Sequence, residues 1–243
     1  MILSHKIHVL TKKEELDTVR LSGKVAVVLD VLFATSTMVT ALAHGATSIV
    51  PVRDEAAARA VAAGLTPGSF AMAGELHAET LEGFAPPTPL ALTEHGVTGR
   101  KLVYSTTNGT VAMTACADAQ ELYCGALLNG RALVKRLLSA HRDQTVLLVC
   151  AGSMNNFNLE DFYGAGYLVD LLAGELGETA DFSDAARAAR ALFLHDGPEA
   201  SLLGCRVGRL MAARGLEREV RFAARLSTLD VVPRLKDGQL LAV

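Results

Sequence analysis

Three places in this chain set acids, hydroxyls and glycine directly behind an apolar run. Asp30 ends Val25-Ala26-Val27-Val28-Leu29 and is followed by Thr35-Ser36-Thr37. Ser105-Thr106-Thr107-Asn108-Gly109-Thr110 follows Leu102–Tyr104. Gly152-Ser153 leads from Val146–Ala151 into Asn158-Leu159-Glu160-Asp161. A further apolar run, Phe70–Gly74, ends at Glu75, with His77 just beyond it. Hydroxyls and backbone N–H groups at helix starts suit a phosphate, and carboxylates beside them suit a hard divalent cation bridging to it. The combination predicts phosphate binding together with a metal. No lysine follows Gly109 in the Walker arrangement, which argues against nucleotide hydrolysis of the P-loop kind.

Each of these residues also has a plainer reading. Asp30 reads either as a ligand at the carboxyl end of a central strand or as a turn-capping aspartate. Any of Thr35, Ser36 and Thr37 suits a helix N-cap. Asn158 and Asp161 fit an N-cap and its capping-box acid, which leaves Glu160 as a first-turn acid. His77 reads as a surface-loop histidine. The Ser105–Thr110 run is harder to dismiss, because capping needs only one or two of its hydroxyls. Gly109 allows the backbone to approach closely there.

These residues are placed by alternating elements. Strand patterns fall at Val25–Val31, Ser48–Val52, Phe70–Gly74, Lys101–Ser105, Glu121–Cys124 and Thr145–Cys150. Helical patterns fall between most of them, at Thr37–His44, Asp54–Ala63, Thr110–Ala117 and Asn129–His141. Such alternation predicts an α/β fold, a largely parallel or mixed sheet with helices on both faces. The stretch from Glu75 to Gly99, with Pro86-Pro87-Thr88-Pro89, breaks the rhythm and reads as an irregular loop without a core element. From 158 to 226 the chain reads as helical, at Asn158–Gly174, Ser183–Leu194, Pro198–Arg214 and Glu217–Leu226. Asp230-Val231-Val232-Pro233 then suggests a short edge strand. The arginines scattered over these helices read as a solvated face, with one of them free to reach the site.

Residues 1–243 are expected to form a single α/β domain. Thr37–Ala43 and Thr110–Cys116 are alike enough to hint at an internal duplication. Half the residues are hydrophobic and a fifth charged, which places the chain with globular proteins. A net charge of −3 implies no nucleic-acid partner, and no apolar run approaches a membrane span. The opening Met1–Lys6 lacks the features of a signal peptide, and Cys116, Cys124, Cys150 and Cys205 form no CxxC pair. The expectation is a cytoplasmic protein with buried, reduced thiols.

Taken in order, these segments resemble the 2-phosphosulfolactate phosphatase family, the ComB-like proteins of coenzyme M biosynthesis. The likeness is carried by Val27–Thr37, Ala73-Gly74-Glu75, Ser105–Thr110, Ala151-Gly152-Ser153, Leu159–Asp170 and Val231-Val232-Pro233. It implies a Mg²⁺-dependent phosphatase that releases phosphate from the 2-hydroxyl of a small sulfonated hydroxy acid. Asp30, Glu75, Glu160 and Asp161 would be the catalytic acids, with Asp30, Glu75 and Glu160 as candidate metal ligands. Thr35–Thr37, Ser105–Gly109 and Ser153 would bind phosphate. Attack by water and a covalent phospho-enzyme both stay open. The chain departs from the family pattern at Phe33 and after Glu75, where arginines are usual, and at Pro86-Pro87-Thr88-Pro89. Phenylalanine offers an anion neither charge nor donors. Three readings follow: the family phosphatase, a phosphatase of another phosphorylated small molecule, and a phosphate-binding relative without turnover. The C-terminal helices either cover the site or serve contacts in a homo-oligomer.

Overall fold

The computed structural model describes residues 5–141, 143–177 and 180–243. Strand β2 (Val25–Leu29) is buried along its whole length, as expected for an aliphatic run covered on both faces. It pairs in parallel with β7 (Glu121–Gly125) and β8 (Val146–Cys150). Beyond β8 lie β1 (His5–Leu10) and β9 (Ala180–Phe182), also parallel. A second parallel set consists of β3 (Ser48–Val52), β6 (Lys101–Ser105) and β4 (Phe70–Leu76). At the outer edge β4 pairs antiparallel with the two-residue β5 (Glu79–Thr80). The mixed α/β sheet expected from the alternation is therefore present, with eleven strands among the described residues.

A C-terminal hairpin joins the two sets. Strands β10 (Pro233–Lys236) and β11 (Gln239–Ala242) pair with each other, β10 also with β7, and β11 with β3, all antiparallel. The edge strand expected at Asp230–Pro233 is thus corrected: Pro233 opens a strand in the middle of the sheet. Proline is tolerated as the first residue of a strand. Asp237-Gly238, both at positive φ, makes the two-residue turn that closes the hairpin. Three successive antiparallel pairings make β7 run opposite to β3. A flat sheet would send the carboxyl ends of the two sets to opposite edges. Right-handed twist accumulated across the hairpin instead lets those ends converge.

The helices fill the angle between the sets. Helices α1 (Ala34–Ala43) and α4 (Gly109–Ala115) carry the chain across, from β2 to β3 and from β6 to β7. Met38, Val39, Ala112 and Met113 share one core with Ala26, Val28, Ile49, Leu102 and Tyr104. Helix α2 (Glu55–Ala63) follows β3. On the other face of β1, β2 and β8 lie α5 (Gly130–Ala140), α6 (Leu159–Leu176) and α7 (Asp184–His195).

Two expectations about the loops and C-terminal helices are also corrected. The stretch 75–99 contains α3 (Pro89–His95), and it buries Phe84, Ala85, Leu92 and Val97. Its proline cluster resembled a loop because Pro89 is the first residue of a helix, where a missing N–H does no harm. The single helix expected at Pro198–Arg214 is broken at Cys205 into α8 (Pro198–Gly204) and α9 (Arg206–Ala213). The Cys205 sulfur accepts from the Gly208 N–H and caps α9.

Helix α10 (Glu217–Ala223) then ties the loop region down. The buried carboxylate of Glu219 accepts hydrogen bonds from Thr88 Oγ1 and from the N–H groups of Leu90 and Ala91, at 2.8–2.9 Å. It caps α3 from outside that helix. Glu219→Ala should lower the unfolding free energy by about 2–3 kcal/mol, because it leaves buried donors without acceptors. Urea denaturation checks this.

Candidate active site

Asp30 is the first residue past β2, and Thr35 fixes its backbone. Thr35 Oγ1 donates to the Asp30 carbonyl at 2.9 Å and accepts from the Asp30 N–H at 3.0 Å. Ser36 Oγ donates to the Val31 carbonyl, and Thr37 Oγ1 to the carbonyls of Phe33 and Pro87. All three hydroxyls lie within the first turn of α1, are buried, and serve backbone carbonyls. None of them lines the cavity in front of Asp30. They shape the turn, and the expected phosphate donation from Thr35–Thr37 is not what their geometry provides.

The threonine-rich turn is held from two sides. Thr106 and Thr110 bond reciprocally: Thr110 Oγ1 receives the Thr106 N–H at 3.0 Å, and Thr106 Oγ1 receives the Thr110 N–H at 3.1 Å. Glu75, near the end of β4, accepts the Thr107 N–H at 2.6 Å, the Thr107 hydroxyl at 3.0 Å and the Ala78 N–H at 2.6 Å. Ser105 is buried at the end of β6. Gly109 has a specific duty, because a Cβ there would sit 2.4 Å from Ala34 Cβ and 2.7 Å from Asp30 Oδ2. The Asp30 and Thr106–Gly109 turns therefore press against each other, and the close approach expected of Gly109 is toward Asp30.

The third junction is clamped by Asp161. Its Oδ1 accepts the Val31 N–H at 2.9 Å and its Oδ2 the Gly152 N–H at 3.1 Å, binding the ends of β2 and β8 together. Asp161 is therefore a positioning residue and not a capping-box acid. Asn158 stands at the N-cap of α6, but its side chain caps nothing there. Its Oδ1 accepts from Ser153 Oγ at 2.9 Å and from Arg206 Nη2 at 3.2 Å. Beside Asp161, Glu160 is 1% exposed; burial and the Glu160 charge push the Cys205 thiol, which donates to the Leu202 carbonyl at 3.1 Å, up to about 12.

Asp30, Glu75, Thr106, Thr107, Asn108, Ser153, Asn158 and Arg206 line one cavity of about 480 Å³. Its apolar wall includes Leu32, Phe33, Pro87, Val207 and Met211. His77 lies exposed at the edge at φ 53°, its N–H bonded to Thr107 Oγ1 at 3.1 Å.

Two cationic residues stand near the acids: Lys13, for which the sequence offers no motif, and Arg206, one of the C-terminal arginines of which one was expected to reach the site. Lys13 Nζ donates to the Ala151 carbonyl at 3.0 Å and to Asn108 Oδ1 at 3.3 Å. Arg206, the first residue of α9, reaches Ser153 Oγ at 2.6 Å. Lys13 stands in an ordinary charged stretch with no motif around it. Arg206 was one arginine among many, and only the break at Cys205 sets it apart.

Burial dominates the electrostatics. It raises the Asp30 pKa to about 7; Glu75 and Glu160 add repulsion, and the Ala34 N–H and Lys13 oppose it. Asp161 is held well above the carboxylate range by burial and then by Asp30 and Glu160, and Glu160 is raised chiefly by burial. Clustered acids of this kind favour a cation. Among the described residues, however, no group of three His, Cys, Asp or Glu side chains is placed to hold an ion. The expected three-carboxylate set of Asp30, Glu75 and Glu160 is therefore not assembled, since both Glu75 oxygens serve Thr107 and Ala78. Mg²⁺ needs only one or two carboxylates and keeps its waters; Asp30 lines the cavity and meets that demand, whereas Glu160, 1% exposed, is not among the lining residues.

In the unfolded chain Asp30 releases its proton near 3.8, and in the folded protein near 7. Between those values the folded state binds more protons, so Asp30 increasingly destabilises the fold as pH rises through the window, and fully above it. Asp30→Asn in EDTA should melt at a higher temperature than the wild type at about pH 8, with the difference shrinking toward about pH 5. A difference independent of pH in thermal melts would contradict this assignment.

Comparison with known proteins agrees with this arrangement. A family profile described as 2-phosphosulpholactate phosphatase matches residues 10–238. A protein of Symbiobacterium thermophilum is 37% identical over 224 residues, covering 91% of this chain and 95% of its own. One from Carboxydothermus hydrogenoformans is 35% identical over 239 residues, covering 97% and 96%. A third, from Clostridium beijerinckii, is 28% identical over 242 residues, covering 97% and 98%. Each is named "Probable 2-phosphosulfolactate phosphatase". With a match that takes in all three strand-end junctions and the C-terminal hairpin's first strand, the chain belongs to the 2-phosphosulpholactate phosphatase family.

Proposed function

We propose that this chain is a magnesium-dependent phosphatase that hydrolyses the phosphate ester of a small anionic 2-hydroxy acid. The reaction its relatives' names suggest is 2-phospho-3-sulfolactate plus water giving 3-sulfolactate and phosphate. The observation that carries the reading is the buried Asp30 carboxylate, facing the cavity beside Thr106, Thr107 and Asn108. The family match and the relatives' names support the reaction class.

Asp30 would hold Mg²⁺ at the cavity, where the ion would polarise the phosphoryl oxygens and offset their charge. Asn108 lines the cavity with its Oδ1 committed to Lys13, so its amide N–H₂ is the donor offered to the phosphoryl group. Lys13 adds charge behind it. Water attacks phosphorus in line and the bond to the ester oxygen breaks. The proton lost by the water passes to the Asp30 oxygen not on the metal, and the departing 2-oxygen takes its proton from solvent. Glu75 and Asp161 act one step back by holding the turns. Phe33 on the apolar wall favours a second reading, in which the ester carries an apolar group in place of the sulfonate.

Phosphate release from a panel of phosphorylated hydroxy acids, with Mg²⁺ and with EDTA, tests the proposal. The expected result is magnesium-dependent turnover, reduced about 10²- to 10⁴-fold by Asp30→Asn. Turnover unaffected by EDTA would remove the metal from the mechanism. No release from any ester by the folded protein would make this a binding protein.

A further inference from the structure

We propose that Arg206 binds the second acidic group of the substrate, the carboxylate or sulfonate that accompanies the phosphate. The inference rests on the phosphatase reading and assigns a residue that its mechanism leaves unused. Among the cavity's lining residues Arg206 is the one permanent cation; His77 is the other basic side chain there. Of the eight arginines between residues 187 and 225, four meet carboxylates: Arg190 pairs with Asp170, Arg214 with Glu79, Arg218 with Glu94, and Arg221 with Glu199 and Glu217. Arg187 and Arg209 donate to backbone carbonyls, and Arg225 lies over the Phe222 ring. Arg206 is the one of the eight that lines the cavity. Among the described residues its guanidinium hydrogen-bonds only neutral oxygens, Ser153 Oγ at 2.6 Å and Asn158 Oδ1 at 3.2 Å, while its charge is felt by Glu160.

Both contacts use the same nitrogen, Nη2. Ser153 Oγ in turn donates to Asn158 Oδ1 at 2.9 Å, so the three side chains form a closed triangle that orients the fork. Nε and Nη1, on different edges of the guanidinium, keep N–H donors for the oxygens of a carboxylate or sulfonate. The setting calls for such a charge. Asp30 and Glu160 are buried acids, and an ester with a further acid group would be repelled without a compensating cation. The break between α8 and α9 at Cys205 brings this arginine, from a remote part of the chain, to the cavity.

The test uses three phosphate esters: ethyl phosphate, phosphoglycolate and 2-sulfoethyl phosphate. They share the phosphate and differ in having no second acid, a carboxylate, or a sulfonate. For the wild type, KM should be lower for one or both acid-bearing esters than for ethyl phosphate, and which one tells whether carboxylate or sulfonate is read. Arg206→Gln should raise KM for the preferred ester roughly 10- to 100-fold, with a smaller change in kcat, so that its advantage over ethyl phosphate disappears. Arg206→Lys, keeping the charge without the fork, should restore part of the advantage. If Arg206 only staples the Ser153 loop to α9, Arg206→Gln would lower the melting temperature and affect all three esters alike, and the proposal would be overturned. If the wild type releases no phosphate from any ester, the phosphatase reading fails. Calorimetric titration with phosphoglycolate and 2-sulfoethyl phosphate then decides the anion site: weaker binding of the preferred ester to Arg206→Gln keeps it, and equal binding rejects it.

Discussion

The buried carboxylate of Asp161 is the contact on which the site depends. With one oxygen on the Val31 N–H and the other on the Gly152 N–H, it fixes two adjacent strand ends, which the Ala151 N–H bond to the Leu29 carbonyl also joins. A carboxylate fully removed from water is tolerated only when its lone pairs are met by donors, and here backbone N–H groups supply them. That bond sets the direction in which Asp30 leaves β2 and in which Ser153 leaves β8. Glu160, next in the chain to Asp161, is buried as a consequence. Three acids thus sit close together in low dielectric, and their raised pKa values are the electrostatic result of a packing decision.

Architecture makes this clustering achievable. Two parallel sets run in opposite senses on either side of the C-terminal hairpin, and their carboxyl ends meet because the sheet twists between them. The place of meeting is marked by Gly109, whose missing side chain lets one turn touch Asp30 and Ala34 of the other. Ligand sites in open α/β sheets lie at the carboxyl ends of strands on either side of a switch in order. In this chain the switch is the hairpin, and the crevice receives turns from both sets.

Polar side chains divide between building and binding. Thr35, Ser36, Thr37, Thr110, Glu75 and Asp161 all use their oxygens on backbone groups and build the walls. Asp30, Asn108, Ser153, Asn158 and Arg206 face the cavity. The cations felt by the buried acids are Lys13, before the first crossover, beside Asp30, and Arg206, late in the helical segment, beside Glu160.

The sequence by itself determined the elements and the acids. Continuous aliphatic runs can only be strands covered on both faces, and the alternation with amphipathic helices makes the class α/β, so Asp30, Glu75, Glu160 and the Ser105–Thr110 turn were legible as a phosphate-and-metal pattern. The resemblance to the phosphatase family was likewise legible in the order of short motifs. Only the tertiary structure decided which hydroxyls face the ligand, because a threonine that caps a turn and one that binds a phosphate have the same local sequence. It also decided that Glu75 is occupied by Thr107 and Ala78, that Asp161 clamps two strands, and that Val231–Pro233 leads into the centre of the sheet. Lys13 and Arg206 carry no local signal at all. Their role follows from contacts made across 95 residues or more between Lys13 and Asn108, and 53 between Arg206 and Ser153, and such pairings are set by packing, which no single stretch of sequence contains.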